Sequence, residues 1–182
     1  MTVRVKKIVL SAMFISLGLL LPFLTLQIPA VGKMLAPMHL PIMLCGFICG
    51  WQYGLVTGFI TPLLRSALFG MPVLYPMAFA MAFELAAYGL LCGLLYQILP
   101  KKKLCVYPAL ILSMIAGRIV YGGVMFAIMG VSHVDYSLAI WWSKTVMDAI
   151  PGIILQLILI PVIMITLESA HLVPVRGRQR QP

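Results

Sequence analysis

Apolar residues run along this chain in blocks, and polar residues gather between the blocks instead of alternating within them. The blocks cover about residues 8–27, 38–50, 53–69, 77–99, 105–129 and 137–166. An α-helix needs roughly 20 apolar residues to cross hydrocarbon, so the pattern predicts an all-α bundle of six transmembrane helices. Breakers fall where the blocks end. Ile28-Pro29 and Pro37 bound a loop with Gly32 and Lys33, Gly70-Met71-Pro72 and Pro76 mark another, and Pro100 closes the fourth block. A polar stretch at 130–136 precedes the last helix, which Pro151 and Pro161 are expected to bend. The second block is short for a span, which predicts a tilted or shielded helix. Trp51-Gln52 reads as a tight turn into the third.

Composition strengthens this picture. Of 182 residues, 63% are hydrophobic and 9% charged, with a mean hydropathy of +1.09. Soluble domains carry roughly 25% charged residues to cover a wet surface. Too few charges are present here for that, so the whole chain reads as one membrane domain (1–182) with a basic tail at 170–182. The first apolar block follows basic residues, as a signal peptide would. It is longer than a signal core and has no clear cleavage site, so it reads as a retained helix.

The net charge of +9 has a topological explanation. Arg4, Lys6 and Lys7 precede the first block; Lys101, Lys102 and Lys103 follow the fourth; Arg176, Arg178 and Arg180 lie in the tail. Basic flanks resist translocation, which puts both termini and the fourth connection in the cytoplasm. Six helices satisfy all three assignments; five or seven do not. The outer loops then hold only Lys33, His133 and Asp135, with Lys144 near the membrane boundary.

Small residues recur at a spacing of four: Ala12 and Ser16; Gly46, Gly50, Gly54 and Gly58; Ala78, Ala82 and Ala86; Gly89 and Gly93. Such stripes let helices approach closely, mostly within one chain, while the first helix has a face free for a partner. Cys45, Cys49, Cys92 and Cys105 include no C-x-x-C pair and read as small buried hydrophobes.

The candidate chemistry lies in the few polar residues at membrane depth, where a charge costs several kcal/mol unless paired or hydrated. These are Arg65, Glu84, Arg118, Lys144 and Asp148, with His39 opening the second helix and Gln156 deep in the sixth. Three positive charges against two negative leave one positive in excess. A cavity in which they converge favours a small monoanion such as a carboxylate. Structural pairing is the competing explanation, as Arg65–Glu84, Arg118–Asp148 or Lys144–Asp148, and His39 beside Pro41 suits a helix cap. Tyr75, Tyr121, Tyr136, Trp141 and Trp142 fit either an interfacial belt or a stacking wall for a ligand.

The stretch Pro41-Ile-Met-Leu-Cys-Gly46-Phe-Ile-Cys-Gly50-Trp-Gln-Tyr-Gly54-Leu-Val-Thr-Gly58 resembles the substrate-binding S components of energy-coupling-factor (ECF) vitamin transporters. Ala12 and Ser16 match that family's small-residue docking surface on helix 1, with serine in place of its second alanine. The resemblance implies a six-helix S-component bundle in a prokaryotic cell membrane. It implies a vitamin captured near the outer face and a transmembrane coupling subunit with two ATPase subunits as partners. The protein itself would need no cofactor and would not be an enzyme. Its expected substrate-binding residues are His39, Arg65, Tyr75, Glu84, Arg118, Tyr121, Trp142, Lys144 and Asp148. Pro62-Leu-Leu-Arg65-Ser-Ala-Leu-Phe-Gly-Met-Pro72, with Ala82-Phe-Glu84-Leu-Ala86, is most similar to pantothenate-type members. Riboflavin, folate and queuosine precursors are the alternatives within the family.

No Walker A, H-E-x-x-H, G-x-S-x-G or paired-aspartate motif occurs, and His39, His133 and His171 are scattered. This argues against a membrane-embedded enzyme. A stand-alone permease and a structural or assembly protein are the rivals from other classes. The first would take up substrate without an ATPase module, and the second would show no saturable ligand binding.

Overall fold

The structure, a computed structural model, describes residues 3–24, 36–99, 105–131 and 150–169. Its helices are α1 (Val3–Leu24), α2 (His39–Cys49), α3 (Trp51–Phe69), α4 (Phe79–Ile98), α5 (Val106–Val131) and α6 (Ile150–Ser169). A π-helical turn over Leu74–Ala78 leads into α4, and there is no strand among the described residues. Val3–Phe23, Leu74–Ile98, Val106–Met129 and Ile150–Ser169 are each long and apolar enough to cross a membrane. Residues 137–149, assigned to the last helix by hydropathy, lie outside the described residues.

The short α2 has 11 residues, about 16 Å at 1.5 Å per residue and so roughly half of a bilayer core. It survives at that length because its neighbours wrap it: every residue except Ile48 is buried. The junction after it differs from the turn at Trp51-Gln52 that the sequence suggested. Both residues are already helical, and Gly50 alone makes the corner with φ 105°. One residue suffices because the hydrogen-bond ladder continues through it. The Gly50 N–H donates to the Gly46 carbonyl at 3.1 Å, and its own carbonyl accepts from Gly54 N–H at 3.0 Å.

α4 is the central helix and packs against α2, α3 and α5; α1 lies on α2 and α3, and α6 on α5 and α2. Small residues permit this. A Cβ added at Gly54 would collide with the Gly89 carbonyl, and one added at Gly58 with the Leu85 carbonyl. In lipid there is little hydrophobic drive between helices, so this close van der Waals fit is a principal source of association energy. Two buried hydroxyls bond within their own helices: Thr61 Oγ1 donates to the Thr57 carbonyl at 2.6 Å and Ser113 Oγ to the Ala109 carbonyl at 2.6 Å. Tyr96 donates to Glu168, joining α4 to α6 near their C-terminal ends. Cys45, Cys49 and Cys92 are buried and Cys105 half-buried, all as free thiols. Outside, Ile111, Ile115 and Ile119 on α5 and Ile154, Ile158 and Val162 on α6 are exposed, which suits a lipid-facing surface.

Candidate functional site

Three helices bring a polar cluster together in the interior. Glu84 and Tyr88 stand one turn apart on α4, on the face turned from α3, because Leu85 and Gly89 occupy the face that meets Gly58 and Gly54. Arg118 reaches them from α5. Gly117 beside it makes room, since a Cβ there would collide with the Tyr88 ring. His39 enters from the first turn of α2, its ring 5.4 Å from that of Tyr88.

Glu84 is the hub. Its Oε1 accepts from Tyr88 Oη at 2.9 Å and lies 3.1 Å from Arg118 Nη1 and 3.8 Å from His39 Nε2. Glu84 is 2% exposed, and a lone carboxylate there would cost several kcal/mol. Arg118 neutralises it, while 19% of the Arg118 side chain stays accessible. The cluster also holds capacity that the protein does not use. Both ring nitrogens of His39 and Nε of Arg118 are buried without a hydrogen-bond partner. Such groups are costly unless something else engages them. A guanidinium with a spare donor beside an unpartnered imidazole is suited to a carboxylate or a hydroxyl. Among the described residues, no three His, Cys, Asp or Glu side chains gather as a metal site.

The structure separates Arg65 from this cluster. Glu84 pairs with Arg118 and not with Arg65. Arg65 sits seven residues beyond Gly58 on α3, about 10 Å further along the helix. It donates from Nη1 to the Leu19 carbonyl of α1 at 2.7 Å, with the rings of Phe23 and Phe69 5.4 and 5.6 Å from its guanidinium. Tyr75 is 60% exposed in the π-helical turn. Tyr121 is half-buried on α5, one turn from Arg118. Lys144, Asp148 and Trp142 lie outside the described residues, so the Arg118–Asp148 and Lys144–Asp148 pairings do too. Ala12 and Ser16 are exposed on α1, with Ser16 Oγ donating to the Ala12 carbonyl at 3.1 Å. Tyr88 was missed by sequence reasoning. Its spacing of four from Glu84 on an apolar helix was the available signal.

The family model described as "ECF transporter, substrate-specific component" matches residues 6–164. Neither the curated proteins nor the solved structures gave a match.

Proposed function

The chain belongs to the family of ECF transporter substrate-specific components, and on that premise we propose that it binds a small carboxylate-bearing vitamin, pantothenate first among them. In this reading the His39–Glu84–Arg118 cluster receives the ligand. Arg118 donates to the carboxylate, His39 to or from a hydroxyl, and Tyr121 flanks them. Glu84 does not touch the anion; it holds the arginine in place and keeps the empty site neutral. The observation that supports this most directly is the unpartnered pair, His39 and Arg118 Nε, buried beside a compensated charge. A second support is the similarity of the segments around Arg65 and Glu84 to pantothenate-type members.

Membership of the family implies association with transmembrane and ATPase components. We place the docking face on α1, where Ala12 and Ser16 leave a smooth exposed surface, and we assign the protein to a prokaryotic cell membrane as a multi-pass subunit. Titration calorimetry of the detergent-purified chain against pantothenate, riboflavin, folate and a queuosine precursor tests the substrate. Saturable heat with pantothenate alone is the expected result. Binding of one of the flat-ringed compounds instead would replace the substrate, and silence from all four would count against the site.

A further inference from the structure

We propose that Arg65 is a positioning residue for the His39–Glu84–Arg118 site, acting through α1 and not by touching the ligand. This rests on the binding role proposed above for that cluster. The chain of contacts begins at Pro22, which has no N–H to give the Gly18 carbonyl and so interrupts the helical ladder of α1. The Arg65 guanidinium does not serve that carbonyl but donates from α3 to the adjacent one, Leu19, at 2.7 Å. Phe23 and Phe69, themselves 4.9 Å apart edge to face, hold the guanidinium between them. Arg65 is 5% exposed, and its partners all belong to the outer ends of α1 and α3. It therefore pins one helix end to the other.

The pinned turn of α1 bears on the entry to α2. A Cβ on Gly18 would lie 2.9 Å from Thr61 Cγ2, one turn before Arg65, and 3.8 Å from Met38 Cγ, next to His39. Ala36, three residues before His39, has φ 43° and accepts the His39 N–H at 3.0 Å. A left-handed alanine carries a steric penalty and is held only by its surroundings. The packing of α1 on Met38 is a surrounding of that kind. Freed from Arg65, the end of α1 would no longer keep its place beside Met38, and His39 would lose its register with Glu84.

The experiment uses the full purified chain as wild type, Arg65→Met and Arg65→Lys. It measures hydrogen exchange by mass spectrometry, and affinity for pantothenate and for its primary alcohol, which lacks the carboxylate. In Arg65→Met we expect faster exchange in peptides covering 17–24 and 36–43. Both ligands should weaken by the same factor, about tenfold, the order of a lost hydrogen bond from a charged donor. The preference for the carboxylate should be unchanged. Arg65→Lys keeps a donor and a cation over the rings, and should restore most of the affinity. A selective loss for the carboxylate would overturn the proposal, because Arg65 would then be a direct ligand. Unchanged affinities with only a lower melting temperature would also overturn it, leaving Arg65 a stability element. If wild type binds neither compound, the substrate assignment fails by itself. The exchange data then decide whether Arg65 holds α1 against the start of α2, and unaltered exchange at 17–24 and 36–43 refutes it.

Discussion

Replacing Glu84 by methionine takes the hub out of the polar cluster and leaves Arg118 facing the bundle interior without its carboxylate. Removing one partner of a buried ion pair costs about 3–5 kcal/mol. The 19% accessibility of the Arg118 side chain places this case at the lower end, about 3 kcal/mol, with about 1 kcal/mol more for the Tyr88 hydroxyl that loses its acceptor. Arg118→Met strands the more deeply buried partner, since Glu84 is 2% exposed and keeps only the Tyr88 hydrogen bond, so about 4 kcal/mol is expected. The double variant Glu84→Met/Arg118→Met carries neither charge. It should cost only about 1–2 kcal/mol, because apolar replacement of a whole buried pair is often neutral. The assay is thermal unfolding in detergent, followed by size-exclusion of the heated samples. For a chain of this size, 1 kcal/mol corresponds to roughly 2–4 °C. Each single variant should therefore melt well below the double. A double variant at least as unstable as the worse single would refute the pairing, because independent sites add.

Three further outcomes follow from the same geometry. Gly89→Ala places a methyl against the Gly54 backbone on an opposed helix, and overpacking of that kind costs about 1–3 kcal/mol or more. Gly70→Ala meets no atom but sits at φ 69°, so it should lose only about 1–2 kcal/mol from strain, and melting curves of the two variants would show the difference. His39→Leu should keep the fold, since its ring nitrogens make no hydrogen bond and only approach Glu84 at 3.8 Å, and should weaken pantothenate by about tenfold in calorimetry, on the scale of one hydrogen bond; wild-type affinity would remove His39 from the site. A bulky residue at Ala12 or Ser16, both exposed on α1, should leave ligand binding intact while reducing co-purification with the coupling subunit and uptake; undiminished uptake would count against α1 as the docking face.

The sequence made the helices legible because the bilayer demands long apolar runs, and Gly70 and Pro100 punctuated them. It also marked Glu84 and Arg118, since a charge at membrane depth stands out wherever its partner lies. It did not show the partners. Whether Glu84 meets Arg65 or Arg118 depends on the rotation of α4 about its axis and on height along α3. Both are set by where Gly54, Gly58 and Gly89 let backbones touch. The glycine stripe was visible in the sequence, but which helix would fill it was not. The pattern puts the corner at Trp51-Gln52, one to two residues past Gly50, because Trp51 and Gln52 are poor markers of a helix start. The glycine conformation that makes the turn leaves no trace beyond the residue itself.

Pantothenate binding to the Glu84→Met/Arg118→Met variant, measured by titration calorimetry beside wild type, tests most directly the claim that this cluster receives the carboxylate. The double variant is expected to fold, so lost binding cannot be put down to lost structure. Wild type should bind saturably, with affinity reduced by at least about thirtyfold in the variant, the low end of 2–5 kcal/mol for a buried charge contact. Wild-type affinity in a folded double variant would contradict it and move the anion site elsewhere in the bundle.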